Sequence, residues 1–372
     1  MLIGVPKEIK KLEYRVGMVP ASVREMIANK HQVIVQKSAG EKIGFGDDAY
    51  LNVGATIVDT ADEIYARADM LIKVKEPQPN ECRMLRENQI LFTYLHLAPD
   101  PEQARLLQAS GCVAIAYETV TDKNGGLPLL SPMSEVAGRM SIQAAANCLE
   151  VKNGGRGMLL GGVPGVAPAK VVVLGGGVVG TNAVRVAMGM GAHVVVIDKS
   201  LSRLYQLDLQ FGSKINTIYS TRDAIEEHAL TADVVVGAVL IPGASAPKLL
   251  TKAMLEKMRT GAVVVDVSID QGGCFETSRP TSHDEPTYVI NGVVHYCVAN
   301  MPGAVPRTST FALNNATLPY ALQLANLGYK EAMRRDRYLL QGLNVCQGKI
   351  TYQAVAEALN QPFVAPEKMI GD

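Results

Sequence analysis

The sequence lacks net charge and lacks any paired cysteine motif. Lys and Arg together number 36, as do Asp and Glu, so the formal net charge is zero. This balance argues against functions that depend on bulk charge, such as binding nucleic acid or a membrane surface. The six cysteines are scattered without a C-x-x-C pair, which signals neither a zinc site nor a disulfide framework, and no other metal-ligand spacing is present.

Long apolar runs are also missing. The longest apolar stretch, residues 158–181, is interrupted by Lys170 and rich in Gly and Pro, which disfavours a membrane-spanning helix. The first residues do not form the charged head and apolar run of a signal peptide. Because reduced thiols are the simplest interpretation of the cysteines, we expect a soluble cytoplasmic protein without membrane or nucleic-acid partners.

What the sequence does contain is alternation of strand-like and helical patterns. Strand candidates cover residues 2–6, 32–36, 70–75, 90–97 and 112–118, and then residues 171–174, 194–197, 216–220, 233–238 and 262–267. Helical patterns separate them, and longer ones cover residues 132–151 and 309–337. Such alternation predicts βαβ units. We expect an α/β fold of two Rossmann-like, doubly wound parallel-sheet domains, the first discontinuous, joined by long helices.

A glycine-rich turn follows the first strand of the second block. It has the pattern G-x-G-x-x-G, at Gly175, Gly177 and Gly180. Asp198 ends the next strand candidate 18 residues after Gly180, near the spacing of about 20 residues for an acid that binds ribose. The turn binds pyrophosphate at a helix N-terminus and the acid repels a 2′-phosphate, so NAD is predicted. Lys199 and Arg203 leave NADP open, and a turn that binds nothing is the alternative.

Three polar side chains follow strands of the first block. Arg15 comes shortly after the first strand candidate, and Lys75 and His96 come at the ends of two others. Ligands bind beyond the carboxyl ends of parallel strands, where a histidine can shuttle protons near neutral pH. Each has an alternative: Arg15 as a solvated charge, Lys75 as the partner of Glu76, and His96 as a core histidine with a satisfied hydrogen bond.

In the second block, two polar residues leave strand candidates towards the same edge. Asp270 follows an apolar strand and precedes a Gly pair, and Asn300 follows a strand-to-loop exit. Asp270 is a candidate for chemistry, with a turn-forming role before Gly272 as the alternative. Asn300 is a candidate for contact with the nicotinamide.

Several longer motifs accompany these residues. They are GVPKEI from Gly4, RVGMVP from Arg15, IKVKEP from Ile72, LGGVPGV from Leu160, VLGGG from Val173 and DVSIDQGG from Asp266. Together these motifs resemble the alanine dehydrogenase and transhydrogenase α-subunit family, over about residues 1–364. The match of several long motifs is much more specific than the glycine pattern alone.

The resemblance implies reversible NAD-dependent oxidative deamination of L-alanine to pyruvate and ammonia, in a homohexamer. Arg15 and Lys75 would bind the substrate carboxylate, His96 would be the general acid/base, and Asp270 the second catalytic group. The residues implied to contact NAD are Ser134, Gly175, Gly177, Val178, Val179, Gly180, Asp198, Arg203, Ser220, Val239, Leu240, Val267, Ser268, Ile269, Arg279, Val298, Ala299, Asn300 and Met301. No metal is implied.

We therefore expect residues 1–130 and 306–372 to form a discontinuous substrate domain, and residues 131–305 an NAD-binding domain. The nearest alternative is the soluble NAD-binding α subunit of a proton-translocating transhydrogenase. The combination of Arg15, Lys75, His96 and Asp270, without a membrane segment, argues against it. A non-catalytic NAD-binding protein is a second alternative, which would have no use for the charges of the first block.

Overall fold

The computed structural model describes residues 1–239 and 246–371. They group into two compact units, one of Met1–Met133 with Val305–Asp372 and the other of Ser134–Ala304. The chain passes from the first unit to the second within one helix and returns just before a longer one. Which ligand each unit binds stays a prediction. Among the described residues, no helix combines the length and the apolar character needed to span a bilayer.

The strands and helices alternate along most of the chain. The strands are β1 (Leu2–Val5), β2 (Gln32–Gln36), β3 (Thr56–Val58), β4 (Met70–Ile72), β5 (Ile90–Thr93), β6 (Val113–Ala116), β7 (Lys170–Leu174), β8 (His193–Asp198), β9 (Ile215–Tyr219), β10 (Val234–Gly237), β11 (Val263–Asp266), β12 (Thr287–Ile290), β13 (Val293–Tyr296), β14 (Leu343–Cys346) and β15 (Lys349–Ile350). The helices are α1 (Pro20–Ala28), α2 (Asp47–Leu51), α3 (Ala61–Arg67), α4 (Pro79–Met84), α5 (Pro101–Ser110), α6 (Ser131–Cys148), α7 (Val178–Gly189), α8 (Leu201–Phe211), α9 (Arg222–Leu230), α10 (Lys252–Glu256), α11 (Pro306–Arg335), α12 (Arg337–Leu340), α13 (Gln353–Ala358) and α14 (Glu367–Ile370).

The sheet of the first unit has the order β15-β14-β6-β5-β4-β1-β2-β3. Strands β1 to β6 are parallel, and β14 pairs antiparallel with β6. The six parallel strands follow the order 3-2-1-4-5-6, whose reversal between β1 and β4 opens a crevice at the carboxyl ends of the strands. The strands from the end of the chain extend this sheet, so the predicted discontinuous first sheet is confirmed.

The sheet of the second unit has the order β12-β13-β11-β10-β7-β8-β9. Apart from the antiparallel edge strand β12, it is parallel and again has the order 3-2-1-4-5-6, with its reversal between β7 and β10. Valines of β7 alternate between two buried clusters on opposite faces, which explains why the central strands are almost wholly apolar.

The two-sheet α/β prediction is confirmed, although both sheets carry antiparallel edges and several strands are shorter than predicted. Strands β4 and β5 end at Ile72 and Thr93, so Lys75 and His96 each lie three residues beyond a strand. The sequence analysis also missed β3 and the antiparallel edge strands, because short edge strands carry little periodicity.

Candidate active site

Arg15 lies between β1 and α1, and its side chain is buried with 2% of its surface exposed. Its Nε and Nη2 donate to the two carboxylate oxygens of Glu13, at 2.7 and 2.6 Å, and Nη1 lies 3.2 Å from the Met133 sulfur. Burial alone would lower the pKa of Arg15, but the Glu13 carboxylate raises it above its ordinary value. The alternative of a solvated surface charge is therefore wrong.

Lys75 follows β4, the neighbour of β1, so Arg15 and Lys75 leave the two strands between which the sheet order reverses. The Lys75 side chain is 13% exposed, and its Nζ lies 3.5 Å from Oε2 of Glu76. The ion pair considered as the alternative is thus present. Burial would raise the pKa of Glu76, but Lys75 and Lys10 lower it, so a charged pair occupies this edge.

His96 follows β5 and has a partly open side chain, 47% exposed. Its ring stacks on that of Tyr94, with the centroids 5.8 Å apart and the planes at 8°. Its backbone N–H donates to Oε1 of Glu118 at 2.6 Å, and its φ is +50°. The alternative of a core histidine is wrong, because a satisfied core residue would be shielded from water.

The sequence analysis missed a buried charged cluster of Lys73, Glu8 and Glu81, which contacts the main chain of Lys75. The Lys73 ammonium is fully buried and contacts Oε2 of Glu8 at 3.1 Å and Oε1 of Glu81 at 2.8 Å. The other Glu8 oxygen accepts the N–H groups of Val74 and Lys75, at 2.7 and 3.3 Å. The available signal was a lysine that directly follows the apolar strand β4, since a buried ammonium requires carboxylate partners.

In the second unit, the predicted NAD contacts follow the carboxyl ends of the parallel strands. Five of the six parallel strands are followed within two residues by such a position, namely Gly175 after β7, Ser220 after β9, Val239 after β10, Val267 after β11 and Val298 after β13. The sixth strand, β8, ends on Asp198. Ligands of doubly wound sheets bind at this edge. Ser134 lies in α6, and Leu240 lies outside the described residues.

The glycine turn has the shape that a dinucleotide requires. Gly175 has a φ of +99°, and a Cβ on Gly180 would stand 1.8 Å from the Gly175 carbonyl oxygen, so α7 approaches the turn as closely as only glycine allows. Gly177 precedes the first residue of α7, and apart from its chain neighbours no atom of the described residues lies within 4 Å of where its Cβ would be. That open space at a helix N-terminus fits a pyrophosphate, with Val178 and Val179 as the first residues of the helix.

Asp198 and Arg203 are both bound to this turn. The two Asp198 oxygens accept the N–H groups of Gly176 and Ser200, at 2.7 and 2.8 Å, and each oxygen keeps a second lone pair that fits a ribose hydroxyl. Arg203 donates through Nε to the Gly176 carbonyl at 2.6 Å and through Nη2 to the Thr181 hydroxyl. The arginine therefore supports the turn that is predicted to hold the phosphates.

Asp270 lies in a 3₁₀ turn, Ile269–Gln271, and is exposed. This turn is closed by the Gly272 N–H donating to the Ile269 carbonyl at 2.9 Å, so the Asp270 carboxylate is not what closes it. The preceding Asp266 is buried, and its Oδ2 accepts the Cys274 N–H at 2.9 Å and the Ser278 hydroxyl at 2.5 Å. Burial raises the pKa of Asp266.

The remaining predicted NAD contacts lie on the same loops. The Ser268 hydroxyl donates to the Val239 carbonyl at 2.7 Å, which ties together the loops after β11 and β10, and Ile269 is buried. Arg279 lies over the Tyr288 ring, 4.1 Å from its centroid. After β13, Ala299 donates to the Thr281 carbonyl, Asn300 has a φ of +62°, and Met301 is buried. Within residues 1–239 and 246–371, no group of three metal-binding side chains is arranged around a common point.

Known protein families match both the N-terminal and the C-terminal part of the chain. Residues 4–137 match the model of the alanine dehydrogenase/PNT N-terminal domain, and residues 141–353 match that of the C-terminal domain. The chain is 55% identical over 371 residues to the alanine dehydrogenase of Halomonas elongata, and the match covers 100% of both chains. It is 52% identical over 373 residues to the alanine dehydrogenase of Bacillus subtilis, covering 100% of this chain and 98% of that one.

This chain belongs to the alanine dehydrogenase/PNT family. A solved L-alanine dehydrogenase structure superposes with a TM-score of 0.94 at 51% identity, covering 97% of this chain and 99% of that one. A transhydrogenase from Sinorhizobium meliloti superposes with a TM-score of 0.81, but at 22% identity, covering 95% of this chain and 100% of that one. The similarity to the transhydrogenase shows that this chain and that protein share a fold.

The residues that the sequence analysis missed are mostly carboxylates that hold the side chain or the main chain of Arg15, Lys75 and His96. Glu13 holds Arg15, Glu8 accepts the Lys75 backbone N–H, and Glu118 accepts the His96 backbone N–H. Glu118 follows an apolar strand next to that of His96, which is a signal of the same kind as the one that revealed Lys75 and His96. Glu13 lies two residues before Arg15, so its local signal was the neighbouring opposite charge, whereas Glu8 carries no local signal because only the fold brings it to Lys73 and Val74.

Proposed function

We infer that this chain catalyses the reversible, NAD-dependent oxidative deamination of L-alanine to pyruvate and ammonia. The observation that carries this inference is that Arg15 lies in the segment between β1 and α1, and that Lys75 and His96 follow β4 and β5, which are strands of the same sheet. This arrangement occurs in a chain that matches alanine dehydrogenases along its whole length. A small acid with a group to be deprotonated suits two cations and an imidazole.

The two cations would bind the substrate carboxylate. Arg15 is held in place by Glu13 and does not need to be ordered when substrate arrives, while Lys75 adds a second positive charge. Fixing the carboxylate fixes Cα, and orientation of this kind supplies part of the about 7–11 kcal/mol available from positioning. This division of roles agrees with the position of both residues at the reversal of the sheet order.

NAD⁺, when bound, supplies the acceptor for the hydride that leaves Cα of L-alanine. The glycine turn of residues 175–180, Asp198 and the loops after β10, β11 and β13 would hold it. His96 would accept the proton of the substrate ammonium, and then transfer protons as water adds to the imine of pyruvate and ammonia leaves. We propose Asp270 as the second group that assists these proton transfers.

The proposal is tested by NADH formation from purified protein with NAD⁺ and L-alanine. We expect turnover with L-alanine, weaker or no turnover with D-alanine, and a preference for NAD⁺ over NADP⁺ because Asp198 repels a 2′-phosphate. His96→Ala should abolish turnover while the Kd for NAD⁺ stays within about twofold. Binding of NAD⁺ without any turnover of small amino acids would instead favour the transhydrogenase subunit.

We further propose a homohexamer and a cytoplasmic location. The first is supported by the family resemblance, and the second by six cysteines that are unpaired and buried in the structure, as expected for a reducing compartment. Light scattering coupled to gel filtration would measure the first, and fractionation of the native host the second. A monomer in solution would contradict the hexamer.

A further inference from the structure

His96 has an unusual backbone conformation that the mechanism above does not explain. Its φ of +50° lies in the left-handed region, where a side chain with a Cβ costs about 1–2 kcal/mol. Residues held in this way persist where surrounding groups over-determine them, and they are concentrated at functional sites. The question is therefore which group holds His96.

Glu118 is that group. It lies in the 3₁₀ turn Tyr117–Thr119 that follows β6, the strand paired with β5. Its Oε1 accepts the N–H of His96 at 2.6 Å and that of Leu95 at 3.1 Å, and its Oε2 lies 3.3 Å from the Leu95 nitrogen. One largely buried carboxylate, 15% exposed, thus binds two consecutive backbone donors at the bend that carries the imidazole.

The same carboxylate also faces the side chain of His96. Its Oε1 lies 3.9 Å from Nδ1 of His96. The imidazole ring also stacks against the nearly parallel ring of Tyr94. Tyr94 is itself fixed, because its hydroxyl donates to the Leu129 carbonyl at 2.6 Å. The imidazole plane is therefore set by an aromatic ring and a carboxylate, while 47% of the side chain stays exposed.

From this geometry we propose that Glu118 is a positioning residue for His96. Its carboxylate holds the left-handed main chain of His96 and so aims the imidazole at the substrate. This inference rests on the proposed function, in which His96 transfers protons. Glu118 binds the main chain of Leu95 and His96, whereas the carboxylate that holds the Arg15 guanidinium is Glu13, so we expect substrate binding to depend little on Glu118.

The kinetic test compares Glu118→Ala with Glu118→Gln, whose amide oxygen can still accept both N–H groups. We expect Glu118→Ala to lower kcat by about tenfold or more, as misplacement of a general acid/base does, while KM for L-alanine and Kd for NAD⁺ stay within about twofold. Because proton transfer would then limit the rate more strongly, the solvent (D₂O) kinetic isotope effect on kcat should increase, and the kinetic isotope effect of deuterium at Cα of L-alanine should decrease. Glu118→Gln should recover most of kcat, and Glu102→Ala, an exposed acid on α5, should not change it.

An unchanged kcat in Glu118→Ala would overturn the proposal, as would a parallel loss of NAD⁺ affinity and thermal stability, which indicates general damage. A second readout does not depend on turnover. The rate at which diethyl pyrocarbonate modifies His96, mapped by mass spectrometry, should rise in Glu118→Ala, because the ring is released, while exposed His193 reacts as before. If wild-type protein does not oxidise L-alanine, the proposed function fails, yet this rate still tests Glu118: an unchanged rate rejects its role.

Discussion

The Glu13 carboxylate binds the Arg15 guanidinium through two parallel hydrogen bonds, of 2.7 and 2.6 Å. Both side chains are nearly inaccessible to water, at 0% and 2% exposure. The third guanidinium nitrogen, Nη1, contacts the Met133 sulfur, which is a weak acceptor. A substrate carboxylate is a far stronger acceptor, so we expect it to take that contact.

Arg15→Lys should therefore lower kcat/KM for L-alanine by roughly 10- to 100-fold, or about 1.4–2.7 kcal/mol, because an ammonium cannot bind Glu13 and a substrate carboxylate with the same fork. The Kd for NAD⁺ should not change. Steady-state kinetics and cofactor titration measure both. Arg24→Lys, an exposed substitution on α1, is the matched control. Unchanged kcat/KM in Arg15→Lys would remove Arg15 from substrate binding.

The buried Lys73 should be important for stability rather than for chemistry. Lys73→Met leaves the carboxylates of Glu8 and Glu81 buried without their cation, so we expect the free energy of unfolding to fall by about 3–5 kcal/mol. Urea unfolding of the purified variant measures this. Lys37→Met removes an exposed pair with Asp59 and should cost less than about 1 kcal/mol. Equal effects of the two variants would contradict the argument.

Much of this site could be predicted from local sequence patterns, and the reasons are physical. Asp198 and the glycine turn are read from spacing, because one strand, one turn and one helix set their geometry. Lys75 and His96 are read from their position after apolar strands. Glu13 is a local partner, two residues before Arg15, whereas Glu8 meets Lys73 only through the tertiary fold, across 65 residues of chain. No periodicity encodes that pairing.

The fold was predicted in the same uneven way. The central strands of both sheets are apolar on two faces and stand out in the sequence, as Val171 to Leu174 do. Strands β12–β13 and β14–β15 are hairpins joined by Asn291-Gly292 and Gln347-Gly348, turn residues that the sequence analysis did not use, whereas β14 also pairs with β6, which is distant in the chain. Single-sequence patterns do not determine such pairings.

Two glycines of α7 provide a matched test of the predicted dinucleotide site. A Cβ on Gly180 would stand 1.8 Å from the Gly175 carbonyl oxygen, whereas a Cβ on Gly189 would meet no atom within 4 Å in the part of the chain that the structure describes, outside its own helix backbone and chain neighbours. Gly180→Ala should therefore displace the turn and raise the Kd for NAD⁺ by about tenfold or more, which is at least about 1.4 kcal/mol. Gly189→Ala should leave it unchanged. Fluorescence titration with NAD⁺ measures both, and equal affinities would argue against this turn as the phosphate site.

Buried tyrosines predict how stability depends on alkaline pH. Burial raises the pKa of Tyr50, Tyr65, Tyr94 and Tyr117 above the ordinary value of 10.0. Since the folded-state values are the higher ones, the stabilisation from these phenols is fully present below pH 10.0 and is lost as the pH rises through the folded-state values.

Each such phenol should lower the free energy of unfolding by about 1.4 kcal/mol per pH unit above pH 10.0, as long as it stays protonated in the folded state. Urea unfolding at several alkaline pH values measures the slope, and tyrosinate absorbance should appear together with the loss of helical circular dichroism. Tyr117→Phe should reduce the slope by about 1.4 kcal/mol per pH unit, because one buried phenol is removed. Ionisation of Tyr117 before unfolding would show that water reaches the ring behind His96 and would contradict its burial.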